Sequence, residues 1–289
     1  MFFWFEKMRE KRAQEMRAAQ KRRIAKLLDI LRQVPAGRAL MDFSDERGLR
    51  ISFSDRLEGR NAAYRRGRSV LLSTRSKQTL QPLFLAHEIR HAWQDHNGLL
   101  LQRMINIDDA IVNQRFTEAD CFSLEPQLAW ELEQADIVKG IWKAYKKDQR
   151  TLAQAFENAA KAGPRAIKNG TARRAVFNEW FRTAYKNDYD TDTINNCRRQ
   201  CENVAQGRRA YVASEKRRAA DAPPRMSVGY LREFGMASGS KNYLENANTH
   251  CDFYTGRLSS ANRRRLEKLC AQYDFVQTDG VAGNILAPR

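Results

Sequence analysis

Long apolar runs are missing from this chain: none approaches about 20 residues, so no segment is built to cross a bilayer as a helix. Glycine and proline are sparse, at 15 and 7 in 289 residues, which excludes collagen-like and low-complexity chains. With 42% hydrophobic and 29% charged residues, the composition expects a helix-rich globular protein with one good core and room for a smaller second one. The apolar opening Met1-Phe2-Phe3-Trp4-Phe5 has no cationic start and stops at Glu6, so a secretory leader is not expected. Five cysteines, an odd count, fit reduced thiols. The expected location is therefore cytoplasmic, or outside the cell by a route that reads no such leader, as for an effector or toxin. Histidine is scarce too, with four in the chain.

Charge is abundant and uneven. The net +17 hides an acidic middle: residues 77–140 hold five basic and ten acidic groups, leaving about +22 on the rest. A basic body around an acidic middle fits an anionic partner outside the site, such as nucleic acid, an acidic protein surface or lipid headgroups. It fits plain solubility as well.

Residues 1–34 read as one basic helix, with Ile24, Leu27, Leu28 and Leu31 at helical spacing and Pro35 ending the run. A short helix is expected around Ala39–Phe43. Leu49–Ser54 alternates as a half-buried strand does, and Ser69–Ser73 is a second strand. A helix spans 80–97, where Pro82 is tolerated only in the first turn. Residues 108–140 read as helical, with a break or kink at Pro126. Residues 162–171 form a linker or long turn. Beyond it 173–218 is basic and mostly helical, and the tail is irregular except for a helix near 260–272. The segments are a basic N-terminal helix (1–36), a middle domain (37–162) and a basic, mostly helical C-terminal region (163–289).

Two of the four histidines stand in His87-Glu88-Ile89-Arg90-His91. Residues four apart share a helix face, so His87 and His91 present two imidazoles that can close on one zinc ion. Glu88 is turned by about 100° from His87, beside the metal rather than on it. There a carboxylate can take a proton from the attacking water and pass it to a leaving amine. A catalytic zinc needs a third protein ligand. His96, about 140° round from His91, cannot supply it and reads as a partly buried histidine at a helix end. The candidate is Glu118, in Thr117-Glu118-Ala119-Asp120-Cys121-Phe122-Ser123, because it shares a face with Ile111 and Phe122 and a carboxylate there needs a cation. Zinc would serve, and so would Arg115 one turn earlier. Arg115 and Asp120 are candidates for supporting the site, and Asp120, pointing the other way, is otherwise surface. Tyr64, Arg90 and Tyr145 could stabilise an oxyanion, with no spacing to choose among them.

An HExxH helix followed by a helix bearing Glu-Ala-Asp-x-Phe-Ser resembles the gluzincin-type zincins, in particular the ImmA/IrrE-like metallopeptidases. His87–Gln94, reading HEIRHAWQ, also resembles an uncharacterised group of bacterial metallopeptidase domains. The resemblance covers about residues 37–140. It departs at Phe116 and Thr117, which stand where acidic residues often precede the third ligand. It implies His87, His91 and Glu118 as zinc ligands and Glu88 as general base. It also implies an α+β, helix-rich fold: a zincin-like small mixed sheet packed on the HExxH helix, with a helical C-terminal extension. Ser69–Ser73 would be the edge strand over the cleft, where an extended substrate could pair.

The expected function is thus a zinc metallopeptidase, an endopeptidase with one catalytic ion, acting on a protein or peptide. The alternative is a nucleic-acid- or partner-binding protein that uses the zincin-like domain as scaffold. Separately, Cys197 and Cys201 lie one helical turn apart, and with Cys251 and Cys270 they could form a structural zinc site, two disulfides, or simply buried thiols.

Overall fold

The computed structural model describes residues 2–100, 107–206, 232–235, 242–245, 254 and 256–273. It is helix-rich with one small mixed sheet, the expected α+β class. Two compact units divide the chain: Met1–Asp95 with Leu124–Ala153, and His96–Ser123 with Gln154–Arg289.

In the first unit, helix α1 spans Phe2–Arg32. Its apolar positions toward the C-terminal end are the ones that pack, with Leu27 and Leu31 buried, while Trp4, Phe5 and Met16 are exposed. Pro35 stops α1 and opens α2 (Pro35–Arg47) at a position where its missing N–H costs nothing. A side chain at Gly37 would meet the backbone carbonyl of Leu31 at 2.1 Å, so only glycine lets α2 approach α1 this closely. The expected helix around Ala39–Phe43 is the centre of this longer one.

Strands β1 (Arg50–Ser54), β2 (Ala62–Arg65) and β3 (Ser69–Ser73) form one sheet in the order β1-β3-β2. β1 runs parallel to β3, and β2 antiparallel to it. Ser69–Ser73 is therefore the central strand, not the edge: both its sides are already paired, so no substrate can add to it. The edge beside the helix motif belongs to β2. Its strand signal is faint, because two of its four residues are alanines with little preference for a pleated sheet. Along β2, Asn61 turns its carbonyl inward to accept from Ser73 N–H at 2.8 Å. Alternation then points the amides of Ala62 and Tyr64 outward, off the sheet.

Helix α3 (Gln81–His96) follows, with Pro82 in its first turn. Leu83, Leu85, Ala86, Ile89 and Ala92 are buried on several sides, as in a helix enclosed by its unit. His96 ends this helix and is exposed rather than partly buried. Helix α4 spans Ile107–Gln134, and its portion from Leu124 belongs to this unit. It runs on through Pro126 instead of breaking there. The proline costs a backbone bond, and the burial of Leu124, Leu128, Ala129 and Leu132 offsets that loss. Helix α5 (Ile141–Asp148) closes the unit with Ile141, Trp142 and Tyr145 buried.

The second unit takes the first part of α4, then α6 (Arg150–Ala160, beginning just before the division), α7 (Pro164–Lys168), α8 (Thr171–Trp180), α9 (Tyr185–Ala205) and α10 (Ser260–Gln272). The expected linker at 162–171 contains the short α7. Phe116, Phe177, Phe181 and Tyr254 form an aromatic core there. Among the described residues, no helix is long and apolar enough to cross a membrane.

Candidate active site

α3 places His87 and His91 side by side, with ring centroids 4.8 Å apart and the rings at 72°. Each imidazole is oriented through Nδ1. His87 Nδ1 lies 2.8 Å from Oε1 of Glu125, on α4. His91 Nδ1 lies 2.9 Å from Oε1 of Gln94, on its own helix. Both oxygens can only accept, so in the neutral rings Nδ1 carries the proton and Nε2 carries the lone pair. That is the tautomer of a metal-binding histidine whose other nitrogen is held by a carboxylate or amide oxygen. Glu125 is buried, and its direction is open in the sequence because Pro126 follows it directly.

Glu88 is also buried, and its Oε2 accepts the backbone N–H of Tyr64 at 2.5 Å. The outward-facing amide of β2 thus grips the carboxylate next to the two imidazoles. Two turns further along α3, Asp95 accepts from the Tyr64 hydroxyl at 2.8 Å. Burial, with this bond second, pushes the Tyr64 phenol up to about 12. Tyr64 therefore spans α3 between Glu88 and Asp95 and fixes the edge strand to the helix. Its hydroxyl is committed to Asp95 rather than aimed at an oxyanion. Arg90 lies with its guanidinium 3.8 Å from the Trp93 ring centroid.

In the second unit, Glu118 is buried and accepts from Gln114 Nε2 at 2.7 Å. Arg115 does not answer it. The buried guanidinium of Arg115 makes two bonds to Asp190, at 2.7 and 2.8 Å, and also donates to the carbonyls of Tyr254 and Gly256. Asp120 is likewise no surface residue. Fully buried, it accepts from Arg173 and from the Tyr243 hydroxyl, each at 2.7 Å. Helical rotation explains the split: Glu118 and Asp120 are about 200° apart, whereas Glu118, Cys121 and Glu125 follow one line along α4. Cys121 is buried on that line and forms no disulfide.

Cys197, Cys201 and Cys270 form no disulfide, whereas Cys251 lies outside the described residues.

Over residues 6–221 the chain matches the model of the family described as Putative metallopeptidase family (DUF6782). No curated protein and no solved structure matches it.

Proposed function

The chain belongs to this putative metallopeptidase family, and we propose that it is a zinc-dependent endopeptidase with Glu88 as its general base. The observation that carries this reading is the pair of imidazoles with both Nδ1 atoms held by oxygen acceptors, next to a carboxylate fixed by a sheet edge. The donor set fits zinc, which takes two imidazole nitrogens and one further ligand, leaving a position open. We assign the third ligand to Glu118, as the resemblance to ImmA/IrrE-like gluzincins implies. Cys121 is the competing choice: it is on the same line of α4, and a thiolate is as good a zinc ligand as a carboxylate.

Zinc held there supplies Lewis-acid polarisation of the attacking water and the scissile carbonyl. Glu88 accepts the proton of that water and delivers it to the leaving amine. Tyr64 N–H holds one carboxylate oxygen and leaves the other directed to this task. An extended peptide pairs with the outer edge of β2, through Ala62 and the Tyr64 carbonyl, and so runs past Glu88.

Protein never exposed to a chelator is expected to hold about one zinc per chain. Glu88→Gln keeps that zinc and loses turnover of an unfolded protein substrate by about 10²–10⁴-fold. Undiminished cleavage by this variant would remove Glu88 from the chemistry.

Outside the site, α1 carries ten Lys and Arg against four Asp and Glu, next to exposed Trp4 and Phe5. We assign to this surface the anionic partner that the charge balance suggests. Binding of nucleic acid or anionic vesicles should fall steeply between low and physiological salt. No binding at low salt leaves the charge with solubility alone. The scaffold alternative has less support, since a scaffold has no physical need for Glu88.

A further inference from the structure

We propose that the outer edge of β2 selects an acidic peptide, one whose Asp or Glu residues flank the bond to be cleaved. This rests on the peptidase reading of the neighbouring histidine site and adds its substrate class. Among the described strands β2 pairs with β3 alone, so its other side is an open edge. On that side Tyr64 donates its amide to Glu88 at 2.5 Å, so a strand added there lies against the general base. Residues 60–68, spanning β2 and the turn after it, hold Arg60, Arg65, Arg66 and Arg68 and no acidic residue. All four arginines are exposed. Arg66 lies 3.7 Å from Asp95, the carboxylate that also accepts from the Tyr64 hydroxyl, so its charge is already answered. Among the described residues no carboxylate pairs with Arg60, Arg65 or Arg68.

Three unanswered cations along one open edge call for an extended anion. A strand advances about 3.3 Å per residue, so Arg60, four residues before Tyr64, stands about 13 Å along the edge from it. Arg65 is next to Tyr64 on the other side, and Arg68 follows across the turn. Side chains on adjacent strands sit about 4.5–5.5 Å apart, where opposite charges attract. A peptide paired with β2 therefore meets a guanidinium on each side of its paired segment. Every cation in residues 55–68 is an arginine. Its planar fork takes a carboxylate through two parallel bonds, whereas plain protection of the edge against other strands is served as well by lysine. Arg68 also holds a left-handed backbone, φ 73°, which suits Gly or Asn better, so arginine stands there at a backbone cost.

The test uses the full chain with Glu88→Gln, which leaves peptides intact, and three fluorescein-labelled peptides: Ala-Leu-Ala-Leu flanked on both sides by four Glu, four Gln or four Lys. By fluorescence anisotropy at low salt the Glu peptide should bind roughly tenfold tighter than the Gln peptide, as a few exposed ion pairs allow. The Lys peptide should bind weakest, and added salt should narrow the gap. Arg60→Glu with Arg65→Glu, both at exposed positions, should reverse the order of the Glu and Lys peptides, with circular dichroism confirming the fold. With Glu88 restored, cleavage of the same peptides should follow the same order through KM rather than kcat. Equal binding of the three peptides, or an order unchanged in the double variant, would overturn the proposal. So would a single-stranded oligonucleotide of equal charge that displaces the Glu peptide at a lower concentration than the peptide itself needs, since it would assign the arginines to nucleic acid. Binding is read without turnover, so the two readings fail separately. Arginine-dependent binding with no cleavage of any peptide supports the acidic edge and counts against the peptidase. Cleavage blind to peptide charge keeps the peptidase and overturns the acidic edge.

Discussion

The Nδ1 atom of His87 lies 2.8 Å from a carboxylate oxygen of Glu125, a residue 38 positions away in the sequence. This contact sets both the ring orientation and the tautomer of the first imidazole of the motif. A ligand held this way keeps its Nε2 aimed without losing rotamer entropy when a metal arrives.

Glu125→Gln should therefore weaken zinc binding by about 10–100-fold while leaving the fold intact, because the amide oxygen can still accept from Nδ1. Glu125→Ala should cost more. Competition with a coloured chelator measures both. Equal affinity in wild type and Glu125→Ala would show that the carboxylate plays no part in holding the ligand.

Glu118 and Cys121 make distinguishable claims on the third position. Glu118→Ala is expected to lower zinc affinity sharply and Cys121→Ser to change it little. The reverse result transfers the role to the thiol. Asp120→Ala serves as a contrast, since it strips the partner from the buried Arg173. That variant should lose about 3–5 kcal/mol of stability, read by urea unfolding, in zinc-loaded and stripped protein alike.

Lys186 gives the second unit a pH signature. Burial, together with the charge of Arg115 and against that of Asp190, lowers its ammonium from 10.5 to about 8. Below the lowered value both folded and unfolded chains hold the proton, and the folded chain bears the full burial cost. Between about 8 and 10.5 the unfolded chain alone keeps the proton, so stability should rise with pH across that window. Lys186→Met should be more stable than wild type at neutral pH and should flatten the rise. Unfolding curves at several pH values check this, and a slope that persists in the variant would assign the effect to other groups.

Much of the local structure was legible from spacing. Four-residue spacing puts His87 and His91 on one face of α3, Pro35 separates two helices, and alternation marks Ser69–Ser73 as a strand. Each of these rests on backbone periodicity or on a proline's fixed geometry, which act over a few residues. The same periodicity turned Glu118 and Asp120 to different sides of α4.

The three-dimensional fold decided which faces meet. A strand pattern says nothing about neighbours, so the placement of Ser69–Ser73 at the centre, with the short and alanine-rich β2 outside it, followed from pairing across the sheet. The partners of the buried charges were equally out of reach of local reading. Arg115 finds Asp190 75 residues away, Asp120 finds Arg173 at 53, and His87 finds Glu125 at 38. A buried charge must be compensated, and the sequence alone shows that need. Which group meets it depends on long-range packing, because helices that lie far apart in sequence become neighbours only after their apolar faces are buried.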